Sequence, residues 1–379
     1  MTRHLFHLSR ILALILLLGL ALQPLLAQEA TPIPLGPTLK SVLSRGELSC
    51  GVDMNLPGFG FLDPNIGGDP AGFEVELCRA LAAAIFGDPA AVIFPPMTNM
   101  QASFAALNAG DLDIVMNLVP VSLTTDTQGF EFGPPIFYSG QGVIVRADFG
   151  GQNWTDLNGK TVCVVSDSVA DHELETYAAT QNITISKLQQ PTRTDAWQAL
   201  RAGQCEAMSD DRVQLAILRR QATDPASFIL WQGIDQIYTR EPYAPLLRYS
   251  DDQWNNIVRW TILGLVEAEQ HGVSSETILQ LQRQDVDKLS AAETAAGASE
   301  DDKYVARVGG EVARLIDSKL GIGAQLGIAS NFMAVTITAV GNYGEIYNRN
   351  FGPDKVMPLQ RGLNALQKDG GLLYSPDWR

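Results

Sequence analysis

Short apolar runs alternate with segments of helical period from residue 47 onward, and this alternation confines the chain to an α/β architecture. Residues 47–52 (Glu-Leu-Ser-Cys-Gly-Val) predict a short strand. Residues 73–86 set apolar side chains at helical spacing, and Gly87-Asp88-Pro89 stops that helix. A strand follows at 91–94, then a helix at 100–107 ended by Asn108-Ala109-Gly110, then a buried strand at 113–116. This order predicts a parallel sheet with helices on both faces. The stretch 59–72, rich in Gly, Pro and Asp, reads as a loop.

The middle of the chain repeats the pattern. Strands are expected at 142–146, 161–165, 183–188 and 205–208. Helices are expected at about 171–180, at 195–202 before Gly203, and at 212–221. After Tyr243 the chain turns helical, and 252–270 lines up Trp254, Ile257, Val258, Thr261, Ile262, Leu265 and Val266 on one face. Residues 285–302, rich in Ala, Ser and acids, are the linker candidate, and 303–379 reads as small helices with Gly-containing breaks. No tandem repeat is visible.

The first 27 residues read as an export signal. Arg3 and Arg10, with His4 and His7 between, precede the unbroken apolar run 11–22, and Pro24 breaks it. Ala27 and Ala30 suit signal-peptidase cleavage. The run is shorter than the roughly 20 residues a membrane span needs, although an uncleaved anchor is the alternative. No Cys ends the run, so a lipoprotein anchor is not expected. The mature chain is expected to be soluble and periplasmic or extracellular. The net charge of −15 argues against nucleic acid and against an anionic membrane surface as partner.

Four cysteines, Cys50, Cys78, Cys163 and Cys205, allow three pairings. If the chain folds as two lobes, Cys50–Cys78 and Cys163–Cys205 would each staple one lobe in an oxidising compartment. Metal binding is the competing reading. It is disfavoured, because no close Cys-x-x-Cys pair exists and only His172 and His271 remain after the leader. No cofactor is expected.

Several stretches then resemble one family, the extracellular solute-binding proteins of ABC importers, family 3, which take polar amino acids. Residues 39–52 resemble the family's opening helix and first strand. Gly72-Phe73-Glu74-Val75-Glu76 resembles its Gly-Phe-Asp-Val-Asp signature, with Glu for both Asp. Residues 107–113 resemble its Leu-x-x-Gly-x-x-Asp turn. Asp251-Asp252-Gln253-Trp254, residues 340–347 and residues 361–366 look like the general L-amino-acid-binding periplasmic subgroup. The resemblance runs from about residue 38 to the C-terminus. It implies a two-lobed periplasmic-binding-protein-like fold (type 2) with two crossing hinge strands and an extra C-terminal helical extension. Lobe 1 would be 38–140 plus 243–379, and lobe 2 would be 141–242. The ligand would lie in the interlobe cleft, the lobes would close over it, and an ABC permease would receive it.

For an amino acid, a bidentate Arg suits the carboxylate and an Asp suits the ammonium. Residues 205–211 resemble the segment that carries this acid, with Asp211 on the motif position. The plainer role for Asp211 is to cap the helix that follows, and both roles can coexist. Residues 117–132 correspond to the family's Thr-rich loop, which brings in Asn117 and Ser122. Thr125 falls where the carboxylate-binding Arg should be, and Pro120 removes a backbone donor. Ser166-Asp167-Ser168-Val169 replaces the family's Gly-Thr-Thr-like turn, and Asp167 would repel an anion at that helix start. Three readings stay open: the ligand is a cation such as an amine; Arg193 or Arg212 restores a carboxylate site; or the register is displaced by a residue or two. Phe59 and Phe61, with Gly58 and Gly60 around Phe59, are candidates for an aromatic cover over the ligand, against a role in the core.

The same fold hosts dehydratase-like enzymes and ligand sensors. Acid–base chemistry would want a His or a perturbed carboxylate in the cleft. His172 sits in a solvated first helical turn, and Glu74 and Glu76 read as a capped, solvated face. No Ser/His/Asp order and no phosphate loop is present. A binding protein, not an enzyme, is therefore the expectation.

Overall fold

Helix Phe73–Phe86 lies against strand Leu48–Gly51, to which the Cys50–Cys78 disulfide ties it. The helix is apolar nearly all round, as befits one enclosed on several sides. Its bounds are those the sequence predicts. Its start depends on Gly72, which has φ +122°, and where any side chain would strike the Phe59 carbonyl. The computed structural model describes residues 34–97, 99–278, 310–312, 314–316 and 322–378. The expected signal segment (1–27) and linker (285–302) lie outside the described residues.

The described residues from 35 onward form one compact unit that contains two five-stranded sheets. In the first sheet, Leu48–Gly51 pairs in parallel with Val92–Ile93 on one side and Ile114–Val115 on the other. Leu246–Arg248 and Phe130–Phe132 complete that sheet in antiparallel register. In the second sheet, Thr161–Val165 pairs in parallel with Ser186–Gln190 and Ala207–Asp211. Gln141–Arg146 and Phe228–Leu230 add antiparallel strands. Helices Val169–Thr180, Arg193–Arg201 and Arg212–Gln221 pack on the second sheet. Cys163–Cys205 is the second disulfide. The fold is thus the two-lobed α/β arrangement that the resemblance implied, and each lobe carries one disulfide.

An antiparallel ribbon of Phe137–Ser139 and Glu241–Tyr243 connects the sheets. The first strand runs on into Gln141–Arg146 and the second into Leu246–Arg248. Around it sits an aromatic core. Phe59 lies 4.7 Å from Phe351 and 5.0 Å from Phe137, centroid to centroid.

Several expectations change. The strand expected at 205–208 is Ala207–Asp211, and Leu246–Arg248 is a strand where the chain is expected to turn helical after Tyr243. Residues 59–72 are not a plain loop. Asn55–Leu56, Gly60–Asp63 and Asp69–Ala71 form a three-stranded sheet, turned at Gly67 and Gly68, which have φ +80° and +87°. The strand expected at 183–188 is Ser186–Gln190, because its register is set by pairing Thr161 with Ser186.

The C-terminal helices pack on the first lobe. Phe332–Val340 lies on Phe73–Phe86, and Tyr343–Phe351 lies on Asp252–Gln270. Residues 356–364 then touch the second lobe as well. Arg220 Nη1 donates to Val356 O at 2.9 Å, and Gln360 N donates to Gln232 Oε1 at 2.9 Å. Asn364 clasps the ribbon by accepting from Tyr138 N (2.6 Å) and donating to Tyr138 O (2.8 Å).

Candidate functional site

Asp211 ends the strand Ala207–Asp211, where open α/β sheets usually bind ligands. Its side chain is 7% exposed. Oδ1 accepts from Val213 N (2.8 Å) and Gln214 N (3.3 Å), which makes Asp211 the N-cap of helix Arg212–Gln221. Oδ2 accepts from the Ser139 hydroxyl of the ribbon at 2.6 Å. Loss of water pushes the Asp211 carboxyl up to about 6, and the charges of Glu241 and Asp210 push the same way against the Ser139 bond. No Lys, Arg or His is in ion-pair contact with Asp211 among the described residues.

Six more polar residues lie around it. Gln141 faces Asp211 in the sheet register. Gln141 Nε2 donates to Glu241 Oε1 at 3.0 Å, and Thr239 Oγ1 donates to the same oxygen at 3.1 Å. Burial, then the charges of Asp211 and Glu241, hold the Tyr243 phenol above its ordinary value. Arg193 forks onto Asp210, with Nε 2.5 Å from Oδ2 and Nη2 3.3 Å from Oδ1.

The loop 117–126 of the first lobe abuts this cluster. Pro120 bridges to Tyr243, and Val121 N donates to Pro242 O at 2.9 Å. Ser122 caps the short turn Leu123–Asp126, accepting from Thr125 N at 3.2 Å and donating to Thr125 Oγ1 at 3.0 Å. Leu118 holds φ +38°, and its N–H donates to Glu74 Oε1 at 2.5 Å. Glu74 is therefore not the solvated acid the sequence suggests. It is fully buried, and desolvation raises its carboxyl well above the usual range despite the Leu118 bond. Glu76 is half-buried and pairs with Arg349. Asn117 is buried, with Nδ2 4.0 Å from Met100 Sδ.

The remaining candidates fall elsewhere. Phe59 is fully buried in the aromatic core, so it packs the lobe rather than covering a ligand. Phe61 is half-buried in the three-stranded sheet and lines a separate hollow with Gly72, Glu76 and Arg349. Arg212 makes no ion pair with Asp211 among the described residues. It is fully buried beneath the C-terminal segment, where Nη2 donates to Gln360 O at 3.3 Å. Ser168 caps helix Val169–Thr180 by accepting from Asp171 N at 3.1 Å, and Asp167 is exposed beside it. His172 is exposed.

Sequence reasoning missed Ser139, Gln141, Asp210, Glu241 and Tyr243. The available signal was the pair of polar residues, Ser139 and Gln141, inside a run predicted to cross between lobes. Away from the cleft, Glu267, His271 and Glu311 offer atoms within 4.8 Å of one another. His271 Nε2 lies 3.1 Å from Glu267 Oε1 and 3.4 Å from Glu311 Oε2, a spacing that an imidazolium between two carboxylates accounts for.

Residues 48–370 match the model of the bacterial extracellular solute-binding proteins, family 3. The chain belongs to this family. The chain is 33% identical to the general L-amino acid-binding periplasmic protein AapJ of Rhizobium johnstonii over 346 residues, 90% of this chain and 93% of AapJ. It is 31% identical to the glutamate/glutamine/aspartate/asparagine-binding protein BztA of Rhodobacter capsulatus, over 90% of this chain and 93% of BztA. Among solved structures, an ABC transporter periplasmic binding protein from Brucella ovis with glutathione bound superposes with a TM-score of 0.68. The two are 29% identical, over 90% of this chain and 99% of that one. Members of family 3 bind solutes for transport. No helix among the described residues is long and apolar enough to cross a membrane.

Proposed function

We propose that this family 3 protein captures an amino acid or a related small amine between its two lobes and delivers it to an ABC permease. Lobe 1 comprises 38–140 and 243–379, lobe 2 comprises 141–242, and the ribbon is the hinge. After cleavage of the 1–27 segment the protein works in the periplasm or outside the cell. It binds its ligand without transforming it.

The observation that carries the reading is Asp211. It is a buried carboxylate at a strand end, beside the ribbon, with no cationic side chain in ion-pair contact among the described residues. Burying such a charge is costly unless it is paired. A ligand ammonium supplies the pair and links the lobes, because Ser139 of the ribbon already holds the other side of Asp211. The loop 117–126 closes the site from lobe 1.

Thermal denaturation of residues 28–379 against the amino acids, polyamines, betaines and small carboxylates tests this. A ligand that binds only the folded state raises the transition temperature by mass action. At least one amino acid or amine should do so, and Asp211→Ala should abolish the rise. No rise with any compound would sink the proposal.

A further inference from the structure

Buried acceptors gather around Asp211, and several of the donors that could grip a ligand carboxylate are engaged within the protein. Three devices could grip a ligand carboxylate. The first is the position of Thr125, where a hydroxyl engaged with Ser122 stands in place of a guanidinium. The second is the start of helix Val169–Thr180. There Asp171 N donates to Ser168 Oγ, Asp167 N to Asp171 Oδ2 at 3.1 Å, and Ser168 N to Val165 O at 3.2 Å. The third is the loop 117–126. Leu118 N is taken by Glu74, Val121 N by Pro242 and Thr125 N by Ser122, and Pro120 has no N–H. Asp210 balances Arg193 through both oxygens, and the Arg212 guanidinium lies buried beneath the C-terminal segment, where Nη2 donates to Gln360 O.

The acceptor side is the reverse. With Arg193 matched to Asp210, the Asp211 and Glu241 carboxylates stand without a Lys, Arg or His in ion-pair contact among the described residues. Gln141 adds an independent sign. Its amide nitrogen bonds Glu241, which orients the group, while its Oε1 is buried and meets no donor among the described residues. Gln141 is 4% exposed and pairs with Asp211 across the sheet, so this orphan acceptor sits in the same cluster. A buried acceptor left without a donor is costly, and a multivalent N–H donor such as an ammonium answers it.

We infer that the cleft selects ligands of net positive charge, a diamine, a polyamine or an amino acid with a cationic side chain, through Asp211, Glu241 and Gln141. This rests on the proposed capture of a solute at this cleft. It makes Glu241 and Gln141 specificity-determining residues, and it makes zwitterionic and acidic amino acids poor ligands.

Isothermal titration of residues 28–379 with putrescine, spermidine, L-arginine and L-lysine, against L-glutamate, L-glutamine and L-alanine, decides it. At least one cationic compound should bind and the others should bind at least about tenfold more weakly. Glu241→Gln and Gln141→Leu should each weaken the cation by about tenfold, the size expected for a lost charge-assisted or buried hydrogen bond. Both variants should keep a cooperative thermal transition, so that a folding failure is recognised. Tighter binding of a neutral or acidic amino acid would overturn this inference and leave solute capture standing. Binding by none of the seven compounds would overturn both.

Discussion

The hydroxyl of Ser139, in the strand that crosses between the lobes, donates to Oδ2 of Asp211 at 2.6 Å. The connecting ribbon and the acid at the end of the second sheet are thereby one hydrogen-bonded unit. A charge placed on Asp211 acts directly on the ribbon that connects the two sheets.

The pH dependence of stability follows from Asp211. Its carboxyl is raised from 3.8 to about 6 in the folded protein. Below both values the group is protonated whether folded or not and contributes no difference. Between them the folded form retains a proton that the unfolded form has lost, so stability falls as pH rises across this window. Above about 6 the loss levels off, on the order of 3 kcal/mol for this shift. Asp211→Asn keeps a capping side chain. It should flatten this decline and raise the ligand-free transition temperature at pH 7, measured by thermal denaturation from pH 4 to 8. An unchanged profile would contradict the assignment. The affinity of the wild type for a cation should weaken as pH drops through about 6.

Thr125→Arg should install a carboxylate arm at the position where the resemblance expects an Arg. Thr125 is half-buried on a short turn, so a longer side chain has room to extend. The variant should gain affinity for L-glutamine or L-alanine by about tenfold or more, as a bidentate charged pair provides. Titration calorimetry reads the gain, and no gain would mean that this turn does not face the ligand.

Phe59→Ala separates packing from ligand contact. Phe59 is fully buried among Phe73, Phe137 and Phe351. The truncation should cost about 3–5 kcal/mol by urea denaturation, the range for a buried Phe→Ala change. Ligand affinity of the folded fraction should stay within about threefold. A stable variant that had lost its ligand would reverse the assignment.

His271 titrates in the other direction. The bond from Glu267 raises it, desolvation opposes this, and the charges of Glu267 and Glu311 add to the rise. Its stabilising contribution is fully present below the unfolded value near 6.5 and is lost as pH rises through the higher folded value. His271→Gln should therefore lower the transition temperature more at pH 6 than at pH 9. Equal losses at both would show that the imidazole acts through packing alone.

Much of this protein was legible in its sequence because the signals were local. Helical period and flanking stops located Phe73–Phe86, Arg212–Gln221 and Asp252–Gln270 at their observed bounds. The short strands of the ribbon were not legible, since three residues carry no period that separates strand from loop. Asp211 was legible as a cap from its place before the helix 212–221. Its burial, its lack of an ion-pair partner and its bond to Ser139 were not, because these depend on residues 72 positions away.

What the sequence determined by itself was the α/β alternation and the family. These are properties of residue identity and of spacing within single elements. What only the tertiary structure decided was the surroundings of each candidate. Phe59 went into the core, Arg212 went beneath the C-terminal segment, and Gln141 and Glu241 came to lie beside Asp211. The physical reason is that burial and electrostatic field are set by what packs across from a side chain. Here those neighbours come from the ribbon, the second sheet and the C-terminal segment, which are distant in sequence.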